Sequence, residues 1–225
     1  MDTSITSDLI DRVRVRLELF PELKKSHHFV FVSPLDRSYA GRTEYVWLSV
    51  HPGDGEDDWE LCPCNTEETR LYNFQYEYGP SIGSQRRVKK LRWFLGDEMF
   101  CRTTLTMLFF WSVKDIGSSF TSKFGYTLNK HPHWDFCTEL NLALINRLQP
   151  KAVFAESRPL RQRYEREFKL TPVATYYDQH RHPILEILRF KNGIHFYCFD
   201  NPSARRGHEE IRGLVHRFVA NDNMH

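Results

Sequence analysis

Two short tracts hold the residue types best able to do chemistry. The first is Ser49-Val50-His51-Pro52-Gly53-Asp54-Gly55, and the second is Asp200-Asn201-Pro202-Ser203-Ala204-Arg205-Arg206-Gly207. A neutral imidazole such as that of His51 accepts a proton near pH 7 and can hold a water within hydrogen-bond reach. Asp54, three positions on, offers a second base in the same loop, with Glu56, Asp57 and Asp58 close behind. Gly53 and Gly55 let backbone approach a bound group, because no Cβ stands in the way. The first tract ends the apolar run Tyr45-Val46-Trp47-Leu48, and the second ends Ile194-His195-Phe196-Tyr197-Cys198-Phe199. Each thus places a proline turn after a strand-like run, with a polar residue directly before the proline. Loops leaving strand C-termini are where ligands bind in open α/β sheets. The pair reads as two halves of one catalytic cleft.

Other groupings are weaker. His131-Pro132-His133 and His180-Arg181-His182 have the His-x-His spacing of some metal sites. Both lie in loop-like, proline-containing segments, and no carboxylate stands at a telling distance. A metal-dependent hydrolase is therefore the minor alternative, and no metal or other cofactor is expected. Cys62-Pro63-Cys64 is too close for a Cys-x-x-Cys knuckle. Basic residues cluster at Arg86, Arg87, Lys89, Lys90 and Arg92, and again at Arg158, Arg161, Arg163 and Arg166. The first cluster reads more as a solvated helix face than as a dedicated DNA rail.

These residues need a scaffold. Residues 7 to 20 have helical spacing, with Leu9, Ile10, Val13, Leu17 and Phe20 near one face and Ser7 as the expected N-cap. Thr43 to Val50 reads as a buried strand. Helices are expected over 67–79, ending at Gly79, and over Arg86 to Leu95. Thr103 to Ser112 suits a core strand. Leu140, Leu144 and Leu148 mark a helix over 138–148, stopped by Pro150. Lys151 to Ala155 then reads as a parallel-type strand and Arg158 to Phe168 as a charged helix. Residues 184 to 199 form a hairpin around Asn192-Gly193, with a type I′ turn expected there. Gly207 to Val219 closes the chain as an amphipathic helix. The pattern predicts one α/β domain over 1–225, three layers deep, with a central, mostly parallel sheet flanked by helices and residues 1–42 as an N-terminal helical extension.

The chain has 225 residues, of which 40% are hydrophobic, 27% charged and 14% aromatic, a composition that suits a globular fold and not a disordered one. A formal charge of +2 permits a nucleic-acid partner without demanding one. The start, Met1-Asp2-Thr3-Ser4, carries no basic segment followed by an apolar one, and no apolar run approaches the roughly 20 residues of a membrane span. With five irregularly spaced cysteines, the expectation is a cytoplasmic, reduced, monomeric protein without a membrane partner.

The two tracts, in this order, resemble the paired active-site motifs of the uracil-DNA glycosylase superfamily. The second is most similar to the Asn-Pro-Ser motif of the mismatch-specific uracil/thymine branch. Asn73-Phe74 with Gly79, and Leu148-Gln149-Pro150-Lys151-Ala152-Val153-Phe154, add two further likenesses. The resemblance implies a glycosylase-like fold and a DNA partner containing a modified or damaged base. It also implies base flipping and hydrolysis of the N-glycosidic bond, leaving an abasic site. It makes His51 the water-positioning residue, with Asp54 as runner-up, and turns Asn201 toward the leaving base. Ser203 grips a flanking phosphate, while Arg205 and Arg206 press the backbone or fill the gap. Trp59 or Phe74 would stack on the base, and Gly53, where a strict uracil enzyme has a bulky aromatic, leaves room for a base larger than uracil. Two positions depart from the pattern: Ser49 stands in place of glycine and His51 in place of Asn or Asp. The second departure keeps a non-catalytic nucleic-acid-binding module as the main alternative.

Overall fold

The computed structural model describes residues 4–21, 23, 31–32, 43–50, 82–111, 132–200 and 208–222. In chain order these form helix α1 (Ser4–Leu19), strands β1 (Phe31–Val32) and β2 (Tyr45–Ser49), helix α2 (Ile82–Cys101), strand β3 (Thr103–Met107) and helix α3 (Pro132–Leu148). Strand β4 (Ala152–Glu156) follows, then a 3-10 turn (Arg158–Leu160), helix α4 (Arg161–Glu167), strands β5 (Thr171–Tyr177), β6 (Pro183–Arg189) and β7 (His195–Phe199), and helix α5 (His208–Asp222).

All seven strands join one sheet in the order β1-β3-β2-β4-β7-β6-β5. The middle four, β3, β2, β4 and β7, run parallel, while β1, β6 and β5 are antiparallel to their neighbours. The parallel strands β2, β3 and β4 are buried along their whole length. Such strands need covering on both faces, and this is why they read as continuous apolar or threonine-rich runs.

Helices supply that cover. Trp47 packs edge-on against Phe94 of α2 and Phe199 of β7, at centroid distances of 5.4 and 5.5 Å. On the opposite face, Thr106 Oγ1 donates to Asn141 Oδ1 of α3 at 2.9 Å, and Tyr164 of α4 meets Phe196 at 5.2 Å. Thus α2 and α5 lie on one face, and α1, α3 and α4 lie on the other. The three-layer α/β domain predicted from the sequence is the fold observed.

Element boundaries differ in instructive ways. Helix α1 begins at Ser4, so Ser7 lies inside its first turns and is not its cap. Helix α3 begins six residues before the expected start, with Pro132 at its first position, where a missing N–H costs nothing. The 184–199 hairpin is present, but its turn is not type I′. Gly193 has φ +94 while Asn192 has no positive φ, and Phe190 N donates to Ile194 O, enclosing a three-residue loop. Helix α2 runs on to Cys101 through a break at Gly96 (φ 75, ψ 161), a conformation essentially confined to glycine. His216 Nε2 of α5 donates to Phe94 O at 2.7 Å, close to that break. The region assigned to an N-terminal extension also contributes β1, a two-residue edge strand.

Helix α1 packs on α3. Leu9 and Val13 are fully buried, and Asp8 pairs with Arg147. Arg16 Nε donates to His133 Nδ1 at 3.0 Å. His133 is itself 1% exposed and T-stacked on Phe20. One member of the His131-Pro132-His133 pair is thereby a packing residue between two helices. No described helix is long and apolar enough to cross a membrane.

Candidate functional site

Strand direction brings the two motif loops to one edge. β2 and β7 flank β4 on either side and run parallel to it, so the chain leaves both at the same end of the sheet. Leu48 pairs with Ala155, and Glu156 with Phe199, so the three strand ends at Ser49, Glu156 and Phe199 are level. Two strand spacings put the loop roots about 10 Å apart.

Each root is anchored up to the residue before its motif. Leu108 N donates to Ser49 O at 2.6 Å and Phe109 N to Val50 O at 2.9 Å, which holds the backbone until His51. On the other side Asp200, directly before Asn201, lies 3.6 Å from Arg158 Nε. The nine residues assigned roles from sequence were His51, Gly53, Asp54, Trp59, Phe74, Asn201, Ser203, Arg205 and Arg206. All lie outside the described residues, as does the expected helix over 67–79.

Between the roots sits a carboxylate that motif reading missed. Glu156 ends β4, the strand separating β2 from β7, and is only 3% exposed. Trp47 Nε1 donates to its Oε1 at 2.7 Å. Tyr164 Oη donates to its main-chain carbonyl at 2.7 Å and pins the strand end from the other face. Burial raises the Tyr164 hydroxyl well above the usual tyrosine value, so it stays protonated and a donor. The next residue, Ser157, has φ 72, a left-handed conformation that costs a non-glycine residue energy and recurs at functional sites. A buried polar group must be partnered to be tolerated, and here the partner comes from a strand 109 residues away. One local signal was readable: an acidic residue closing an apolar strand, followed by Ser157-Arg158-Pro159.

A cleft of about 940 Å³ opens at the same edge on the β7 side. Arg158, Asp200, Glu210 and Ile211 line it together with the turn joining β5 to β6. That turn was not foreseen as part of the site. β6 is antiparallel to β7, so it starts where β7 ends and carries residues 178–182 to the loop edge. Asp178 builds the turn: its Oδ1 accepts the His180 and His182 N–H groups, each at 2.8 Å. These N–H bonds, most of all that from His182, hold the Asp178 carboxyl below its ordinary range. Asp178 Oδ2 lies 3.4 Å from His182 Nδ1. The second His-x-His pair is therefore displayed on a tight turn, not along a strand face as the metal alternative needs. Among the described residues no three His, Cys, Asp or Glu side chains gather as metal ligands would. Cys137 and Cys198 are buried free thiols.

His208 opens α5 beside the second root. Burial, and after it the positive charge of Lys90, push its pKa below the ordinary histidine value, against the pull of Asp200. The folded chain thus binds this proton less readily than the unfolded chain does. Its contribution to stability is complete above the unfolded value, about pH 6.5, and is lost as pH falls through the folded value. Urea titrations from pH 7.5 to 5.5 should show wild-type stability declining, with a shallower decline in His208→Gln. Equal slopes in the two proteins would contradict this.

No protein-family model and no curated protein matches this chain.

Proposed function

We propose that the chain is a monofunctional DNA glycosylase that flips out a damaged or modified base and hydrolyses its N-glycosidic bond. One observation carries the reading. The two proline tracts start from level, anchored strand ends on either side of β4, at the sheet edge where α/β proteins bind ligands. Nothing in the local sequence required residues so far apart to share an edge.

The chemistry follows from the residue types. Breaking an N-glycosidic bond builds positive charge on the sugar and negative charge on the departing base. His51 holds and deprotonates the attacking water, and general-base help of this kind contributes roughly 10²–10⁴-fold. Asn201 donates to the leaving base, Ser203 and the arginines at 205 and 206 grip the flanking phosphates, and Trp59 or Phe74 stacks on the base. Stacking and phosphate contacts offset the few kcal/mol that extrusion costs. The buried Glu156 carboxyl group stands between the two loop roots, beside the proposed site. The enzyme works as a cytoplasmic monomer without a cofactor.

Gly53 sets the substrate class: a base bulkier than uracil, such as a 5-substituted pyrimidine. The test is a panel of duplexes carrying uracil, thymine opposite guanine, and 5-substituted cytosines, treated with the protein and then with alkali. Strand scission is expected at the larger bases, and a Gly53→Tyr variant should lose those while keeping uracil. Scission confined to uracil in the wild type would sink the assignment of base size.

A further inference from the structure

The first half of α2 is uniformly basic. From residue 82 to 96 it carries Arg86, Arg87, Lys89, Lys90 and Arg92 and no acidic residue, and its first turn has no acidic residue either. Five like charges within seven positions repel one another, including at the i,i+3 and i,i+4 spacings, so local stability does not account for them. Arg92 is engaged elsewhere, 3.5 Å from Asp97 and 4.7 Å over the Phe100 ring. Lys89 and Lys90 are exposed, and no described acid pairs with either.

Helix α5 extends this surface. It runs beside α2 in the same direction: His208 feels the charge of Lys90, Arg212 lies over Trp93, and His216 reaches Phe94. The Arg212 guanidinium stands 5.4 Å from the centre of the Trp93 ring, which is 41% exposed. Arg212 Nε is buried without a hydrogen-bond partner, so the indole holds this guanidinium without occupying its donors. Glu209, on the exposed first turn of α5, borders the surface. Both helices begin at the sheet edge where the motif loops leave, because each packs antiparallel to the parallel strands it joins.

We infer that the outer face of the α2–α5 pair binds the phosphate backbone of duplex DNA beside the site, through Lys89, Lys90 and an Arg212 held by Trp93. The inference rests on the reading of the protein as DNA-acting. Phosphate is the anion that suits this face: several fixed cations in a row match a regular line of charge. A duplex is long enough to reach from the loop edge along both helices. Contacts of this kind give affinity without sequence preference and carry a strong salt dependence.

The test is fluorescence anisotropy with a labelled, unmodified duplex of about 24 base pairs, over a range of salt, for wild type, Lys89→Glu/Lys90→Glu and Arg212→Gln. The double variant should bind at least tenfold more weakly near 0.1 M salt. Its slope of log affinity against log salt should fall by about 2, since each lost phosphate contact removes roughly 0.9. Arg212→Gln should lower the slope by about 1. Equal thermal melts would show that the variants fold. Wild-type affinity and slope in the double variant overturn the inference and leave the glycosylase reading standing. Weakened binding by the variant of a wild type that makes no abasic sites sinks the glycosylase reading and keeps the surface. A wild type that binds no duplex overturns both.

Discussion

Replacing Trp47 by phenylalanine should lower the unfolding free energy by about 1–3 kcal/mol, the usual cost of leaving a buried polar group without its donor. The indole N–H donates to the Glu156 carboxyl group at 2.7 Å, and both side chains are buried. Phenylalanine keeps most of the packing against Phe94, Phe154 and Phe199 and removes the donor. Trp47→Ala, which also opens a cavity, should cost about 3–5 kcal/mol or more. The diagnostic variant is Trp47→Phe/Glu156→Met. Removing the acceptor together with its donor should cost less than the sum of the two single changes, because neither group is then stranded. Urea denaturation with an unchanged slope measures all three. Strict additivity would mean that Trp47 only fills space.

The largest functional effect belongs to His51. Converting it to alanine should reduce single-turnover base excision by roughly 10²–10⁴-fold, the contribution of a positioned general base. Affinity for the modified duplex should change little, since phosphate contacts dominate binding. This split is what separates an enzyme from a binding module on the same scaffold. Parallel losses of affinity and rate would make His51 a binding residue, and an unchanged rate would pass the role to Asp54.

Much of the scaffold was readable because its signals are local. The periodicity of Leu140, Leu144 and Leu148, the buried run Tyr45–Ser49, and the hairpin bracketing Asn192-Gly193 each declare their element within a dozen residues. What stayed hidden depends on neighbours distant in sequence. Strand β5, Thr171–Tyr177, is an edge strand with a proline and mostly exposed side chains, so it lacks the alternation that marks a half-buried strand. His133 resembled a ligand because its burial depends on α1, whose Arg16 lies 117 residues away. Glu156 resembled a surface acid after a strand, since only the fold brings Trp47 to it. The motif loops were legible in composition, and a shared cleft was expected from the strand-like runs before them, whereas the insertion of β4 between β2 and β7 was not.

The N-terminal edge of the sheet shows what a purely structural end looks like. Glu44 lies 2.9 Å from both Lys151 and Arg102. Burial works against its ionisation, yet these two cations hold its carboxyl below the ordinary range. That end is closed by a compact ion network across three strands. The opposite end combines a cleft, a left-handed Ser157, a buried carboxylate and the anchored strand ends from which both motifs start.

The central claim is that those two loops form one base-excising site. Its most direct test is to incubate the wild-type protein with a duplex bearing a single 5-substituted pyrimidine, then measure the free base by mass spectrometry and the alkali-labile sites by strand scission. The account predicts free base and abasic sites in equal amounts, both abolished in His51→Ala and in Asn201→Ala. A folded, DNA-bound protein that releases no base from any member of the panel would contradict it.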